Sequence, residues 1–360
     1  MAKNNSPEEK RIQSYGYAAQ TAKDMLMPFS FERRDLNPKD ILIEILYCGV
    51  CHSDVHQARN EWGGSSFPMV PGHEIVGKVK RVGTSVKKFK TGDNAGVGCL
   101  VDSCRKCVTC KDNEEQFCEK GATWTYGSTE KHIGGSTYGG YSNNIVVDEN
   151  FALKVPQKQN LEKVAPLLCA GITTYSPLRY WKIGPGKKVG INGLGGLGHM
   201  GLKFAISFGA HVVQFTTSPD KIEDAKRMGA DEVILSKNTD TFKAHANSFD
   251  FILDTVSSPH DIDLLLSLLK RNGSLVNVGV PAEPFSVAAF SLIRGRKSFS
   301  GSLIGGIKET QEMLDYCTKN KIFSEVVVIP IQKINDAYER IIRSDVKYRF
   351  VIDMASLKRK

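Results

Sequence analysis

The spacing of apolar positions changes near Leu161 and divides the 360-residue chain into two parts. Before that point, short apolar runs at 41–46, 75–82 and 142–147 are separated by glycine and proline turns. Short strands with frequent turns of this kind are typical of a Greek-key or barrel-like unit. The pattern therefore predicts that the first part of the chain is β-rich.

After Leu161, apolar strands alternate with helical patterns. The predicted strands are 187–191, 211–215, 232–235, 249–256, 273–280 and 298–303, and the predicted helices are 196–208, 220–228 and 259–270. Repeated βα units imply a parallel, doubly wound sheet. The mixed stretch from residue 308 onward is expected to rejoin the first part. We therefore predict an α/β protein with one domain formed by residues 1–160 and 308–360 and a second formed by residues 161–307.

Composition and charge add few constraints. The chain is 41% hydrophobic and 24% charged, which is ordinary for a soluble globular protein. Its formal net charge is +9, but the basic residues are scattered, and the one dense cluster is Lys358-Arg359-Lys360. No basic stripe or nucleic-acid recognition motif is visible, so we expect no nucleic-acid partner.

The sequence shows no sign of export or of membrane insertion. Residues 1–10 are polar and lack the apolar segment of a signal peptide. No run approaches the length of about 18 apolar residues that a membrane span needs. The nine cysteines, mostly in tight C-x2-C spacings, fit metal ligation better than disulfides. We therefore expect a reducing, cytoplasmic compartment.

A glycine fingerprint follows the first predicted strand of the second part. Gly193, Gly195 and Gly198 form the pattern G-x-G-x-x-G between a strand and an amphipathic helix, the context that dinucleotide binding requires. There Gly193 permits a tight turn, Gly195 lets a pyrophosphate approach the backbone, and Gly198 allows close helix–strand packing. The helix N-terminus favours the phosphate charge. The alternative is a glycine-rich turn without a ligand.

The end of the next strand indicates which dinucleotide is bound. NAD enzymes usually carry Asp or Glu there, which accepts a hydrogen bond from the adenosine ribose. This chain instead has hydroxyls at Thr217 and Ser218, followed by Lys221, and these groups suit a 2′-phosphate. Asp220 argues the other way, but its position fits an acid at the start of the next helix. The pattern favours NADP over NAD.

Four cysteines lie close together with the spacing C-x2-C-x2-C-x7-C, namely Cys104, Cys107, Cys110 and Cys118. Four thiolates can close a tetrahedral zinc site without an open position, and such a site stabilises a loop. Packing accounts for one buried cysteine but not for this spacing. The alternatives are an iron–sulfur cluster and a DNA-binding ribbon, although the loop carries as many acids as bases.

A second possible metal set is scattered along the chain: Cys51, His73 with Glu74, and Cys169. A Cys2His set with water in the fourth position is a known pattern of catalytic zinc. Taken singly, none of these residues is specific, and a cysteine in the context Leu-Leu-Cys-Ala is more often part of a core. Cys48 could itself form a metal pair with Cys51. Spacing alone leaves this choice open.

The order of the motifs brings in a resemblance to a known family. Five motifs occur in the order in which they are found in zinc-dependent medium-chain alcohol dehydrogenases: GVCHSD, PGHEIVG, the four-cysteine loop, LLCAGITTY and GLGGLG. The chain resembles that family over almost its full length, and it looks closest to the cinnamyl alcohol dehydrogenase-like branch with its bacterial broad-range aldehyde reductases. VPGHE, LLCAGITTYSPLR and DVKYRFVID are similar to that branch. The resemblance implies a β-rich GroES-like catalytic domain with both zinc sites and a Rossmann dinucleotide-binding domain.

The resemblance also implies roles for particular residues near the catalytic zinc. Cys51, His73 and Cys169 match its ligands, and Cys48 is then a core or second-sphere residue. Glu74 adjoins the site and, in the family, can approach the metal when ligands exchange. The resemblance thus selects one ligand set from those that spacing left open.

Further matches concern proton transfer and the cofactor. Asp54 matches the acid that orients the ligand histidine, and Ser53 with His56 matches the family's proton relay, although plant members usually have Thr in place of Ser53. The implied NADP contacts are His52, Gly193, Gly195, Gly196, Leu197, Gly198, Thr217, Ser218, Lys221 and Arg349.

The implied activity is hydride transfer between NADP(H) and a primary alcohol or aldehyde, in particular NADPH-dependent reduction of aromatic or medium-chain aldehydes. Trp62, Cys99 and Trp124 are expected in the substrate pocket. One alternative is a polyol or formaldehyde-type zinc dehydrogenase, which more often keeps the acid after the second strand. Another is a non-catalytic zinc- or nucleotide-binding protein, which is expected to lack the ligand or relay residues. We expect two zinc ions per chain and a homodimer, in which the edge strand 298–303 could pair across a twofold axis.

Overall fold

A computed structural model of the chain describes residues 11–236, 239–281 and 283–358. The polar segment 1–10 and the last two residues of the basic cluster at the C-terminus lie outside these ranges. Within them, no helix combines the length and the apolar character needed to cross a membrane. The described chain forms two compact units: unit 1 comprises the residues through Leu168, Val327–Asp345 and the residues from Phe350 onward, and unit 2 comprises Cys169–Val326 and Val346–Arg349.

The elements are numbered in chain order. The strands are β1 Arg11–Ala18, β2 Met27–Arg34, β3 Asp40–Val50, β4 Ile75–Val82, β5 Asn94–Val97, β6 Leu100–Asp102, β7 Thr123–Trp124, β8 Asn144–Asp148, β9 Leu153–Lys154, β10 Lys188–Asn192, β11 His211–Thr216, β12 Glu232–Leu235, β13 Phe249–Asp254, β14 Leu269–Asn277, β15 Ser298–Gly301, β16 Val326–Pro330 and β17 Arg349–Asp353. The helices are α1 His52–Ala58, α2 Val108–Lys111, α3 Leu161–Val164, α4 Ala170–Tyr180, α5 Gly198–Ser207, α6 Ile222–Arg227, α7 Thr239–Ala244, α8 Ile262–Leu268, α9 Ala289–Ile293, α10 Ile307–Asn320 and α11 Ile334–Ile342.

Unit 1 is built around a sheet with the strand order β16-β17-β3-β4-β5-β9, to which β8 is added by pairing with β3. The pairs β17–β3, β3–β4, β3–β8, β4–β5 and β5–β9 are antiparallel. Its central strand β3 buries Ile41, Ile43 and Ile45 on one face, because successive side chains of a strand point to opposite sides. The pair β1–β2 forms a separate antiparallel ribbon, and β6 pairs with β7 beside the four-cysteine loop. The first part of the chain is therefore β-rich, as predicted.

Unit 2 contains a six-stranded sheet with the order β12-β11-β10-β13-β14-β15, and every pair in it is parallel. This is the doubly wound order 3-2-1-4-5-6 of dinucleotide-binding domains, so the predicted fold class is confirmed. The central strands β10 and β13 read as apolar runs because helices cover both faces of such a sheet. Val189, Ile191, Phe251 and Leu253 are buried there.

Several boundaries differ from those expected. The helix predicted over 259–270 ends at Leu268, because Leu269 already pairs with Phe249 as the first residue of β14. The helix after the fingerprint begins at Gly198 rather than at residue 196, since the preceding glycines form the loop.

The division into units also differs from the predicted domains. Residues 308–326 belong to unit 2, where α10 packs against α4 and buries Met313, Leu314 and Cys317. Residues 161–168 belong to unit 1, where Val164 and the turn that follows it pack beside β3 and β4. The chain also returns to unit 2 for Val346–Arg349. Composition along the chain does not reveal such short exchanges, because each depends on which core a segment packs against.

Candidate functional site

The four-cysteine loop of unit 1 brings its sulfur atoms together. Cys107 directly precedes α2, Cys118 follows a short 3-10 turn, and all four Sγ atoms lie within 4.8 Å of one another. The Sγ–Sγ distances are 3.9 Å for Cys104–Cys110 and 4.0 Å for Cys107–Cys118. Four sulfurs placed tetrahedrally about 2.3 Å from zinc lie about 3.8 Å apart. The distances thus fit a closed zinc site and are far too long for disulfides.

The loop stabilises thiolates unequally. Hydrogen bonds from the Thr109 hydroxyl and from the backbone N–H of Cys110 lower the pKa of the Cys107 thiol to about 6. Burial raises the pKa of the Cys110 thiol to about 12. A bound cation is therefore needed to hold all four sulfurs as thiolates near neutral pH.

A second buried group consists of Cys51, His73, Glu74 and Cys169, whose ligand atoms also lie within 4.8 Å of one another. Cys51 directly precedes α1, and His73 and Glu74 directly precede β4. Cys169 directly precedes α4 and is the first residue of unit 2. Two thiols, an imidazole and a carboxyl group form the donor set of a catalytic zinc site.

Cys48 is not part of this group. A Cβ atom added to Gly72 would lie 2.8 Å from the Cys48 sulfur, and one added to Gly140 would lie 2.7 Å from it. The Cys48 side chain is thus enclosed by backbone, and burial raises the pKa of its thiol. These contacts favour the core assignment for Cys48 over the metal pair that spacing left open.

Asp54 forms hydrogen bonds with residues of this group and with their neighbours. Its fully buried carboxylate accepts hydrogen bonds from the backbone N–H groups of Cys51 and Gly72, at 2.9 and 3.2 Å, and from the Tyr141 hydroxyl at 2.9 Å. It also lies 3.0 Å from His73 Nδ1. Burial, the largest single effect, lowers the pKa of His73, but the charge of Asp54, the charge of Cys99 and hydrogen bonds to Asp54 and Cys51 together outweigh it, and the pKa is raised. Because a carboxylate can only accept, Nδ1 carries the proton and Nε2 is left for a ligand.

The two relay candidates lie one turn apart on α1. The Ser53 hydroxyl lies 3.6 Å from the Cys51 sulfur. The ring of His56 stacks between His52 and Trp62, with centroid distances of 4.5 and 4.7 Å. Its Nδ1 contacts the carboxylate of Glu61, a residue that the sequence reasoning missed and whose only signal was its position in the turn after α1.

The expected pocket residues are all in unit 1. Trp62 and Trp124 are exposed, at 38% and 37%, and Cys99 lies beside Leu168. A hairpin holds Trp124 by its backbone: Ser128 Oγ accepts from its N–H at 2.9 Å, and the Thr137 hydroxyl donates to its carbonyl at 3.0 Å. The assignment of these residues to a substrate pocket stays a prediction.

The glycine loop of unit 2 has the geometry that the fingerprint requires. Gly193 has φ +90°, and a Cβ on Gly198 would lie 2.0 Å from the Gly193 carbonyl oxygen. A Cβ on Gly195 would meet nothing within 4 Å, so this backbone is open to a ligand. The amide of Gln214 donates to the carbonyls of Ile191, Gly193 and Phe215 and holds the turn. Gln214 was not foreseen, because its position in β11 carries no motif.

The segment after β11 presents hydroxyls and cations. Thr217 is exposed, and Lys221 donates to the Leu194 carbonyl at 3.2 Å within the glycine loop. Burial lowers the pKa of Lys221. Asp220 is exposed and lies 3.9 Å from Lys347, a second cation that was not foreseen. Among the described residues, no Asp or Glu stands at the end of β11, so a 2′-phosphate on the cofactor is still expected.

Comparison with known proteins gives this geometry a family context. Residues 37–157 match the model of the alcohol dehydrogenase GroES-like domain, and residues 196–319 match that of zinc-binding dehydrogenases. The chain is 56% identical to aldehyde reductase YahK of Escherichia coli over 94% of this chain and 97% of the relative. It is 52% identical to the probable formaldehyde dehydrogenase AdhA of Bacillus subtilis over 93% of this chain and 96% of the relative.

A solved structure is similar over the whole fold. A cinnamyl alcohol dehydrogenase from Helicobacter pylori, complexed with NADP(H), is 45% identical, with a TM-score of 0.91 over 96% of this chain and 99% of that one. Two family models together cover most of the chain, and the identities far exceed those of chance similarity. The chain belongs to the zinc-dependent medium-chain alcohol dehydrogenase family, in its cinnamyl alcohol dehydrogenase-like branch.

Proposed function

We propose that the protein transfers hydride between NADP(H) and a primary alcohol or aldehyde, and that it reduces aromatic or medium-chain aldehydes with NADPH. The observation that carries the proposal is the buried group of Cys51, His73, Glu74 and Cys169. A closed four-cysteine site can stabilise a loop, but only a second site with fewer protein ligands can accept a substrate.

In this proposal, Cys51, His73 and Cys169 hold zinc, with Glu74 beside them. Zinc supplies Lewis acidity for a carbonyl oxygen, and NADPH supplies the hydride. The protein provides orientation: Asp54 fixes the tautomer of His73 by accepting from its Nδ1. Cys104, Cys107, Cys110 and Cys118 hold a second, structural zinc.

Proton transfer is assigned to α1. Ser53 lies beside the ligand Cys51, and its hydroxyl can both donate and accept a proton. His56 stands one turn further along with Glu61 at its Nδ1, and the two ring nitrogens of an imidazole can donate and accept a proton. The alcohol product thus receives its proton through Ser53 and His56.

For the cofactor, we propose NADP held by the loop from Gly193 to Gly198, with Thr217, Ser218 and Lys221 around the 2′-phosphate. His52 and Arg349 are proposed as further contacts with the phosphates. The absence of an acid at the end of β11 among the described residues supports NADP over NAD. The similar H. pylori structure contains NADP(H).

A formaldehyde-type dehydrogenase is the second candidate. The probable formaldehyde dehydrogenase of B. subtilis is nearly as similar to this chain as the aldehyde reductase of E. coli. Both candidates use the same zinc group, so the geometry of the ligands does not separate them. The range of substrates that the protein turns over distinguishes the two candidates.

We also propose a cytoplasmic homodimer. The edge strand β15 is accompanied by exposed apolar side chains at Phe290, Ile293 and Leu303, which suit pairing with a second copy of the chain. Both cysteine-containing metal sites need a reducing compartment, because cysteines that are oxidised to disulfides no longer bind a metal ion.

The deciding experiment compares initial rates with NADPH and NADH on an aromatic aldehyde, before and after zinc removal with a chelator. Formaldehyde is tested as oxidation substrate in parallel. NADPH-selective, zinc-dependent reduction of the aromatic aldehyde is the expected result. A preference for NADH would overturn the assignment of Thr217, Ser218 and Lys221. Turnover of formaldehyde alone would favour the second candidate, and no turnover by the zinc-loaded protein would point to a non-catalytic role.

A further inference from the structure

His199 is a fully buried histidine at the start of α5 that the proposed chemistry does not use. Its ring Nδ1 lies 3.1 Å from the carbonyl oxygen of Gly195, in the glycine loop. Because a carbonyl can only accept, Nδ1 carries the proton and Nε2 must be an acceptor in the neutral ring. Burial lowers the pKa of His199 to about 3, so the ring is neutral under all ordinary conditions.

The opposite edge of the ring binds a second segment. Nε2 lies 3.0 Å from the Ser324 hydroxyl and accepts from the backbone N–H of Glu325 at 3.4 Å. The carbonyl of Glu325 in turn accepts from the N–H groups of Tyr348 and Arg349, at 3.3 and 3.2 Å. The ring therefore links the glycine loop, through Ser324 and Glu325, to the backbone of Tyr348 and Arg349.

A stacking contact completes the link. The Tyr348 ring lies parallel to that of His199, with a centroid distance of 5.2 Å, and its hydroxyl donates to Asp224 at 3.0 Å. Arg349 packs against the glycine loop so closely that a Cβ on Gly196 would lie 2.8 Å from its Cδ and Nη1 atoms. All of these residues belong to unit 2.

We propose that His199 is a positioning residue for the dinucleotide: its two ring nitrogens hold the glycine loop and the Tyr348–Arg349 segment in the arrangement that binds the pyrophosphate. The proposal rests on the proposed function as an NADP(H) enzyme. An apolar side chain of similar size could fill the same space. It would leave the Gly195 carbonyl with only the backbone N–H of residue 199, at 3.1 Å, and it would remove the ring acceptor of the Ser324 hydroxyl and the Glu325 N–H. The loss of these buried hydrogen bonds weakens the link between the two segments.

The test uses the zinc-loaded, full-length protein and measures the dissociation constants of NADPH and NADH by fluorescence titration, together with the melting temperature. His199→Phe keeps the ring that stacks on Tyr348 but removes both nitrogens. Because pyrophosphate is common to both dinucleotides, we expect both to bind about 10-fold more weakly. Ser324→Ala removes one partner and is expected to weaken both by a smaller factor. His199→Asn, which can still donate to the Gly195 carbonyl, should restore part of the affinity.

Two matched variants separate positioning from other effects. Leu202→Ala alters a buried core residue of the same helix and is expected to lower the melting temperature while leaving both dissociation constants unchanged. Lys221→Ala is expected to weaken the binding of NADPH much more than that of NADH, because only NADPH carries the 2′-phosphate. Wild-type affinities in His199→Phe would overturn the proposal, as would an equal loss in Leu202→Ala. If His199→Phe does not fold, unchanged affinities in Ser324→Ala overturn it. A wild-type protein that binds neither dinucleotide would instead refute the proposed function, and this proposal with it.

Discussion

At the residue scale, the chemistry depends on buried polar side chains whose partners come from distant parts of the chain. Asp54 is the clearest case, since it joins the backbone of Cys51 and Gly72 to the side chains of His73 and Tyr141. A buried carboxylate is stable only when its acceptor positions are filled, and here they are. The acid therefore orients His73, the proposed zinc ligand, through its Nδ1.

Replacing Cys169 by Ser tests the ligand set. We expect the fold and the four-cysteine site to persist, one zinc per chain to be lost, and aldehyde reduction to fall by more than about 100-fold, because even loss of an outer-shell partner costs 10- to 100-fold. Zinc content by atomic absorption, circular dichroism and initial rates measure the three effects. Cys48→Ser is the matched control and should keep both zinc ions. Full activity in Cys169→Ser would show that Cys169 is not a ligand.

His260 gives a prediction on pH. Its Nε2 lies 2.8 Å from Asp254, and although burial alone lowers the pKa of His260, the hydrogen bond and charge of Asp254 raise it overall, with Asp261 adding to the effect. A raised pKa means that the folded state binds the proton more tightly than the unfolded state. The stabilisation is thus complete below the unfolded value of about 6.5 and is lost as the pH rises through the folded value.

The variant His260→Gln removes this titration. We expect it to lower the free energy of unfolding by about 1 kcal/mol at low pH and by less at higher pH, where the wild-type histidine is neutral. Urea unfolding at one pH below about 6.5 and at one pH above the folded-state pKa of His260 measures the difference. The exposed His132→Gln is the control. An equal effect of His260→Gln at both pH values would contradict the raised pKa of His260.

At the element scale, short segments depend on interactions other than the backbone hydrogen bonds of a helix or of paired strands. The four-cysteine loop contains only α2 and a 3-10 turn, and the two-residue strand β7 is held by the hydroxyls of Ser128 and Thr137. Such segments bury little apolar surface, so their order comes from metal ligands and side-chain hydrogen bonds.

Replacing Cys107 by Ser should therefore loosen the loop. We expect the loss of one zinc per chain, a fall in the free energy of unfolding on the order of 2 kcal/mol or more, and faster proteolysis between Cys104 and Cys118. Cys317→Ser, at a buried core position in unit 2, should also destabilise but keep both zinc ions. Unchanged zinc content and stability in Cys107→Ser would rule out a structural zinc there.

Thr137→Val tests how the hairpin presents Trp124. The change keeps the shape of the side chain but removes the hydroxyl that donates to the Trp124 carbonyl and accepts from the Ser128 N–H. Loss of these two bonds should raise KM for an aromatic aldehyde by about 3- to 10-fold and leave KM for a small aliphatic aldehyde unchanged. Thr91→Val, on an exposed turn of the same unit, is the control. Equal changes for both substrates would place Trp124 outside the pocket.

At the scale of the whole molecule, the edge of the parallel sheet at β15 is the proposed dimer interface. Ile293→Asp puts a charge among the exposed apolar side chains beside β15, where burial of that charge in a dimer would be costly. We expect light scattering to change from twice the chain mass to once the chain mass. The exposed Val108→Asp in unit 1 is the control. A wild-type monomer, or a dimer unaffected by Ile293→Asp, would contradict the proposed interface.

The sequence by itself determined the features that are local. The order of βα units predicted the doubly wound sheet, because a strand, a turn and a helix each leave a periodic pattern in neighbouring residues. The spacing of Cys104, Cys107, Cys110 and Cys118 and that of Gly193, Gly195 and Gly198 predicted a metal loop and a dinucleotide loop, since each group lies within one segment. Resemblance to a family then selected Cys51, His73 and Cys169.

Only the tertiary structure decided which distant residues meet. It grouped Cys51 and His73 with Cys169 and left Cys48 in the core, and it joined His199 to Ser324 and Tyr348. It also assigned residues 308–326 to the parallel-sheet unit. Contacts of this kind depend on how several elements pack around one core, and no periodicity in a single segment records them.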